Sequence, residues 1–329
     1  MKHITILVPQ GPSILSSVVG AYKVFNTVNQ RLMQMGKQPF FTIQLVGLTD
    51  ETVLYDGLFA IRPNVLLPDA AKTDLIIIPA IQGNMPTSLK VNSPFIPWIK
   101  EQYDNGTEIA SLCTGAFLLA CTGLLDGKRC STHWVAAPAF RQAFPAVNLQ
   151  AEKIITDETG IYSSGGAYSF LNLMIYLVEK FCGHEMAIFC AKMLEIEIER
   201  KSQSPFAIFM GQKEHDDHQV KKAQLYMENN VGLKVSVEQL SSMFAISRRN
   251  FERRFKKATS NTPVEYLQRV KIEAAKKSLE STRENVNEVM YAVGYSDSKA
   301  FRTMFKKITG LSPLDYRNKY NRELALRVN

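Results

Sequence analysis

The sequence predicts an α/β domain on a parallel sheet over residues 1–200, a linker at 201–220, and an all-α tandem helix-turn-helix domain at 221–329. Three observations predict it. Short apolar runs of strand length alternate with helical periodicity through the first part of the chain. The last hundred or so residues repeat themselves. Positive charge is concentrated in that same repeat, with 22 Lys and Arg against 11 Asp and Glu from Lys221 to Asn329, although the whole chain is only +8. A basic segment attached to a slightly acidic one is the footprint of a chain that meets phosphate at one end.

The elements follow in order. Ile4–Val8 (ITILV) and Phe41–Leu48 (FTIQLVGL) are apolar strand runs. Between them SSVVGAYKVFNTVNQRLMQMG places apolar residues at helical spacing and stops at Gly36. Asp74–Ala80 (DLIIIPA) reads as a strand buried on both faces and closed by Pro79. PWIKEQYDNG is a helix stopping at Gly106, and Thr107–Cys113 (TEIASLC) a strand that runs into the helix GAFLLACTGLL. GIYSSGG and the helical AYSFLNLMIYLVEKFCG close the domain. Continuous apolar strands alternating with helices imply a parallel sheet covered on both sides. From about Arg200 to His218 periodicity fades and polar residues accumulate, which sets the linker.

The repeat is read most easily from FERRFKKATSNTPVEYL at Phe251 and FRTMFKKITGLSPLDYR at Phe301. A shift of 50 carries Phe251, Phe255, Lys256, Lys257, Thr259, Pro263 and Tyr266 onto Phe301, Phe305, Lys306, Lys307, Thr309, Pro313 and Tyr316. Ahead of these blocks the best shift is 49, because the second copy has one more residue in its turn. A slip confined to a turn is what two copies of one helix-turn-helix show, and places the units at about 235–260 and 286–310. Two basic units in tandem point to double-stranded DNA. Phe251 and Phe255 share a helix face and must enter the unit's core, which leaves Arg249, Glu252 and Arg253 on another face.

Other function classes are disfavoured. No run approaches the roughly 20 apolar residues of a membrane span. The opening MKHITILVPQGP is interrupted by Pro9 and Gly11 and does not read as a secretory signal. Five cysteines, an odd number without CxxC spacing, argue for a reducing cytoplasm and against a disulfide framework or zinc site. His215–His218 (HDDH) lies in the linker without further ligands, so no metal and no cofactor is expected. The strongest candidate for chemistry is Cys113. A strand running into Cys-Thr-Gly-Ala and then a helix is an elbow, which projects a side chain over the carboxyl ends of a parallel sheet, where ligands bind. A helix N-terminus behind it would lower the thiol pKa. Thr114 belongs to the same elbow, and His133 and Trp134 follow shortly after it.

CTGAFLLACTGLLDGKRCSTHW, FPAVNL and TGIYSSGGAYSFLNLMIYLVEK resemble the PfpI-type, class I glutamine-amidotransferase-like domain, a flavodoxin-like fold. ISRRNFERRFKKATSNTPVEYLQRVKIEAAKKSLE and VNEVMYAVGYSDSKAFRTMFKKITGLSPLDYR resemble the AraC/XylS DNA-binding domain. The combination is similar to the GlxA-type subgroup of AraC-family transcriptional regulators. Enzymes of the PfpI-type superfamily pair the elbow cysteine with an acid, but Gly11–Gly20 has no carboxylate, and Ser17 stands where GlxA-type regulators tend to carry Asp. The resemblance therefore implies a sensing domain that is not an enzyme, with a small-molecule effector held near Cys113, Thr114, His133 and Trp134. Redox sensing through Cys113 is the alternative, and a DNA-tethered cysteine hydrolase or amidase a weaker one. By the same resemblance Arg249, Glu252 and Arg253 face base edges in the first unit. Ser298, Lys299, Arg302 and Thr303 do so in the second, where Thr303 stands in place of the family's usual arginine. Lys256, Lys257, Lys306 and Lys307 would touch phosphates. A homodimer is implied, and a contact with RNA polymerase is compatible with either activation or repression.

Overall fold

The computed structural model describes residues 1–198 and 202–321; residues 199–201, where the expected linker begins, and 322–329, where the expected helical domain ends, lie outside the described residues. Two units separate by their internal contacts, Met1–Gln203 and Ser204–Asn329.

The first unit runs β1 (Lys2–Val8), α1 (Leu15–Gln34), β2 (Phe41–Gly47), β3 (Thr52–Leu54), β4 (Phe59–Ile61), β5 (Val65–Leu66) and β6 (Leu75–Ile78). It continues through α2 (Met85–Val91), α3 (Phe95–Asp104), β7 (Glu108–Ser111), α4 (Gly115–Ala120), β8 (Arg129–Cys130), α5 (Ala137–Ala143) and β9 (Asn148–Leu149). It ends with β10 (Ile155–Glu158), β11 (Ile161–Ser164), α6 (Phe170–Cys182) and α7 (His184–Met193). One sheet has the order β10-β11-β7-β6-β1-β2-β5. Every pairing in it is parallel except β10 with β11. The central strands alternate between two cores. Ile4, Ile6, Leu75 and Ile77 pack with α1, α6 and α7. Leu7, Ile76 and Ile78 pack on the other face with Phe95, Phe117 and Phe140 of α3, α4 and α5. That double burial is why these strands are apolar throughout. The helix after the elbow is shorter than its apolar run suggests, because Thr122 turns its hydroxyl back to Leu119 O and Gly123 enters the left-handed region at φ +76°.

The second unit is helical: α8 (His218–Asn229), α9 (Val237–Met243), α10 (Arg248–Thr259), α11 (Pro263–Ser281), α12 (Val286–Ala292), α13 (Ser298–Thr309) and α14 (Pro313–Tyr320). Three helix starts are written in the sequence as capping boxes, Ser236 with Gln239, Thr262 with Glu265 and Asn285 with Glu288. The repeat is exact enough to reach single hydrogen bonds. Thr259 Oγ1 donates to Phe255 O at 2.8 Å, and Thr309 Oγ1 to Phe305 O at 2.8 Å. Tyr266 donates to Glu228 and Tyr316 to Glu280, with Phe255 and Phe305 edge-on to these rings at 5.3 and 5.4 Å. Each helix-turn-helix has its own core, one around Phe251, Phe255 and Tyr266, the other around Phe301, Phe305 and Tyr316.

The segment that reads as a linker behaves differently from its composition. From Ser204 it belongs to the helical unit. Phe209 stacks edge-on against Tyr266 at 5.0 Å, and its N–H donates to Glu273 at 3.0 Å. Gln212 O accepts from Gln224, and Asp217 both caps α8 and forms a two-pronged ion pair with Arg254. Loss of periodicity marked the absence of a helix, not of packing: the contacts run through backbone groups and a few separated side chains, which leave no period to detect.

Candidate nucleic-acid interface and thiol site

α10 and α13 present the residues singled out in the sequence. Arg249, Arg253, Lys256 and Lys257 are exposed on α10, while Phe251 and Phe255 are fully buried. On α13 Ser298, Lys299, Arg302, Thr303, Lys306 and Lys307 are exposed, and Phe301 and Phe305 buried. Glu252 is half-buried and accepts an i,i+4 ion pair from Arg248 at 3.1 Å. Arg248 also pairs with Glu238 of α9. Arg253 leans on Asn250 at 2.9 Å and Arg302 on Ser298 at 3.2 Å, each a single exposed hydrogen bond to a neutral acceptor, so neither guanidinium is tied up in an ion pair by these contacts.

A concavity of about 590 Å³ opens between the two helix-turn-helix units. Its lining includes Lys234, Arg248, Gln268 and Lys271, together with Tyr295 from the turn before α13. Periodicity had assigned none of these to a site. The signal that could have found Lys234 is its place just ahead of a capped helix start, where backbone N–H groups also favour anions.

At the other site β7 ends at Ser111 and α4 begins at Gly115, so Cys113 sits in the turn, at φ +55°. A non-glycine residue in the left-handed region is strained, and it persists because its surroundings hold it. Cys113 N donates to Ser164 Oγ, Thr132 Oγ1 donates to Cys113 O, and Gly115 is so close to Ile78 O that a Cβ would lie 2.5 Å from it. The thiol is 2 % exposed. Burial pushes its pKa up, and that outweighs the lowering by hydrogen bonds from Ala167 and Thr114. The net lowering expected from the following helix does not result, because desolvation of the buried thiolate is the larger effect. Burial likewise pushes Cys130 up to about 12.

Thr114 uses its hydroxyl on Ile81 O at 2.6 Å. His133 is brought to the same side of the molecule as Cys113 by the turn at Gly166 and Ala167: its ring lies where a Cβ on Gly166 would be, and burial lowers its pKa. Its Nδ1 accepts from Val135 N at 3.1 Å, and Trp134 lies 5.4 Å away, ring to ring. Ser17 donates to Ile14 O and accepts from Ala80 N, so the position that lacks a carboxylate is occupied by a structural hydroxyl. Beyond the ends of β1 and β6, Ser13 and Ile81 form an isolated antiparallel bridge. The buried hydroxyls of Ser13, in the loop after β1, and of Ser169, in the turn before α6, have no hydrogen-bond partner among the described residues. Gln203, 2 % exposed, was not anticipated: its amide accepts from Gly166 N and donates to Thr132 O, Ala151 O and Lys153 O. Within the HDDH run His215 hydrogen-bonds Gln224 and Asp217 pairs with Arg254.

Comparison with known proteins identifies the two domains. Residues 26–180 match the DJ-1/PfpI family, and residues 240–319 match a helix-turn-helix domain family. The chain carries a DJ-1/PfpI domain followed by an AraC-type helix-turn-helix domain. It is 26% identical over 266 residues to the HTH-type transcriptional regulator GbdR of Pseudomonas aeruginosa, covering 80% of this chain and 70% of that protein. It is 24% identical over 212 residues to the HTH-type transcriptional regulator GlxA of Rhizobium meliloti, covering 63% and 64%. The DJ-1/PfpI domain alone also resembles an isonitrile hydratase of Pseudomonas putida, 24% identical over 163 residues, covering 49% of this chain and 65% of the hydratase. A crystal structure of a putative transcriptional regulator from Vibrio parahaemolyticus shares the fold of this domain, with a TM-score of 0.53 and 23% identity over 59% of this chain and 98% of that one. The homologous regulators make this chain a DNA-binding transcriptional regulator. Among the described residues no helix is long and apolar enough to cross a membrane.

Proposed function

We propose that the DJ-1/PfpI domain holds a small-molecule effector beside Cys113 and performs no turnover, and that α10 and α13 of the AraC-type domain read an operator in successive major grooves. The single observation that carries the first part is the buried, uncharged Cys113 in a strained elbow without a carboxylate in the loop and helix start at Gly11–Gly20. Thiolate is the nucleophile in cysteine chemistry, and burial disfavours it here. The same raised pKa counts against a redox sensor, because oxidation also begins from thiolate. The unpartnered Ser13 and Ser169 hydroxyls supply polar atoms that a ligand could satisfy.

On the DNA side, Arg249, Arg253, Lys299 and Arg302 supply donors for base edges or phosphates, with Ser298 and Thr303 beside them. Lys256, Lys257, Lys306 and Lys307 supply phosphate contacts that position without reading sequence. Glu252 can accept from a cytosine amine after yielding its pair with Arg248. The regulator acts in the cytoplasm as a homodimer, and contact with RNA polymerase is left open to either sign of regulation. Gln203 is the last residue of the first unit. Its amide is fixed beside Gly166, and the residues that follow it grip α11 through Ala207 O and Phe209.

The test is a thermal-shift screen of the full chain against small metabolites, followed by DNA titration of Cys113→Trp and Cys113→Ser. A ligand that binds only the folded state raises the midpoint. Cys113→Trp is expected to lose the response and keep basal DNA affinity, and Cys113→Ser to respond normally. A Cys113→Ser protein that binds DNA but has lost all response would replace this reading with chemistry at the thiol.

A further inference from the structure

α11 serves two cores in turn. Tyr266 and Val270 belong to the first, and Ile272, Ala275 and Leu279 to the second. Lys271 lies between them in sequence and is 7 % exposed. Its ammonium has three protons to donate, and all three find backbone carbonyls. Nζ is 2.6 Å from Val231 O, 3.0 Å from Leu233 O and 2.8 Å from Val293 O. The first two carbonyls belong to the turn leading into the first helix-turn-helix. The third belongs to the C-cap residue of α12, in the turn of the second. No carboxylate is paired with it among the described residues, so the charge is held by the three carbonyl dipoles, with the Tyr295 ring centroid 6.0 Å away.

The two turns also touch directly. A Cβ on Gly294 would meet Gly232 O at 2.5 Å and Lys271 Nζ at 2.6 Å, and a Cβ on Gly232 would meet Ala292 O at 3.0 Å. Val231 packs against both cores. On the solvent side Lys234 donates to Ser296 Oγ at 3.0 Å. A single helix joining two independent cores leaves each free to rock about it. A fixed charge bound to both turns removes that freedom.

We propose that Lys271 is a positioning residue for DNA recognition: by clamping the turns at Val231–Leu233 and Val293, it fixes the separation and angle of α10 and α13 and so selects the spacing between the two half-sites. This rests on the reading that both helices contact DNA. Two linked modules gain affinity only when the linker geometry lets both engage together. A loosened seam therefore weakens the complete operator and relaxes spacing, while each half-site alone is bound as before.

The experiment uses the full chain and an operator selected by it from random-sequence duplex DNA. Affinity is measured for that operator, for the same operator with one base pair inserted between half-sites, for each half-site alone, and for scrambled DNA, at two salt concentrations. Lys271→Met is expected to lose about ten- to a hundredfold on the intact operator. Its half-site and scrambled affinities should stay within about twofold, its preference for native spacing should collapse, and the salt dependence should be unchanged because no phosphate contact is lost. Gly232→Ala keeps the ammonium and presses the turns apart, so it gives the same pattern even where Lys271→Met fails to fold. Folded Lys271→Met that keeps the spacing preference, or that loses equally on every DNA, overturns the role of Lys271. Wild-type indifference to the inserted base pair overturns two-helix reading and this proposal with it.

Discussion

The two helix-turn-helix copies differ at one informative position. Both need a left-handed residue in the turn: the first uses Ala245 at φ +52°, the second Gly294 at φ +75°. Gly294→Ala imposes the left-handed cost on alanine, about 1–2 kcal/mol. It also drives a Cβ to within 2.5 Å of Gly232 O and 2.6 Å of Lys271 Nζ. Relief requires the turns to part, which weakens the hydrogen bond from the buried ammonium to Val293 O, worth about 1.5–3 kcal/mol for a charged donor. The lower entropy of unfolded alanine returns about 0.4–1 kcal/mol. The net expectation is a loss of about 2–4 kcal/mol. Ala245→Gly removes the left-handed strain at an exposed position, and should change stability by about +1 kcal/mol or less. Both tryptophans, Trp98 and Trp134, lie in the first unit. In urea, Gly294→Ala should therefore lower the far-ultraviolet ellipticity midpoint of the helical unit by about 1–2 M, with an m-value of about 2 kcal/mol/M. The tryptophan-fluorescence midpoint should hold still. An unmoved ellipticity transition, or one that moves together with fluorescence, would refute the seam as described.

Arg253→Ala should cost about 1–3 kcal/mol on the selected operator and relax its sequence, whereas Lys256→Ala should weaken all DNA alike and flatten the salt slope; equal losses on both DNAs for Arg253→Ala would sink its base-reading assignment. A fragment beginning at Ser204 should fold and bind DNA, while one beginning at Lys221 should be markedly less stable, since it lacks Phe209 against Tyr266 and Asp217 against Arg254; equal melting of the two would show those contacts to be idle. Cys113 should react with iodoacetamide far more slowly than free cysteine at pH 7 to 9 in the native chain. Because its folded pKa is raised, the stability it contributes is complete below the ordinary thiol value and falls as pH rises from there toward the folded value. A fast-reacting Cys113 at pH 7 would contradict the burial argument.

The doubled pattern of Phe251, Phe255 and Tyr266 was legible because aromatic residues at fixed helical spacing serve one purpose, filling a core. The parallel sheet was legible because strands buried on both faces are apolar without interruption. Lys271 was not, since a lysine on an amphipathic helix reads as solvated, and only the fold brings Val231 and Val293 carbonyls to it. Lys276, tied to Ala207 O and Glu273, was hidden for the same reason. The Cys113 elbow could be read from strand–Cys–Thr–Gly, but the direction of its pKa could not. That depends on how deeply the turn is covered. Short pieces such as the β3–β4 hairpin and the antiparallel β10 escaped because three or four residues give no usable period.

Hydroxyl-radical footprinting of the full chain on its selected operator tests the central claim most directly. Two protected windows on one face of the duplex, centred roughly 10 base pairs apart, are the expected result for α10 and α13 in successive major grooves. A single window per chain, or two on opposite faces, would contradict tandem reading by the repeated helix-turn-helix.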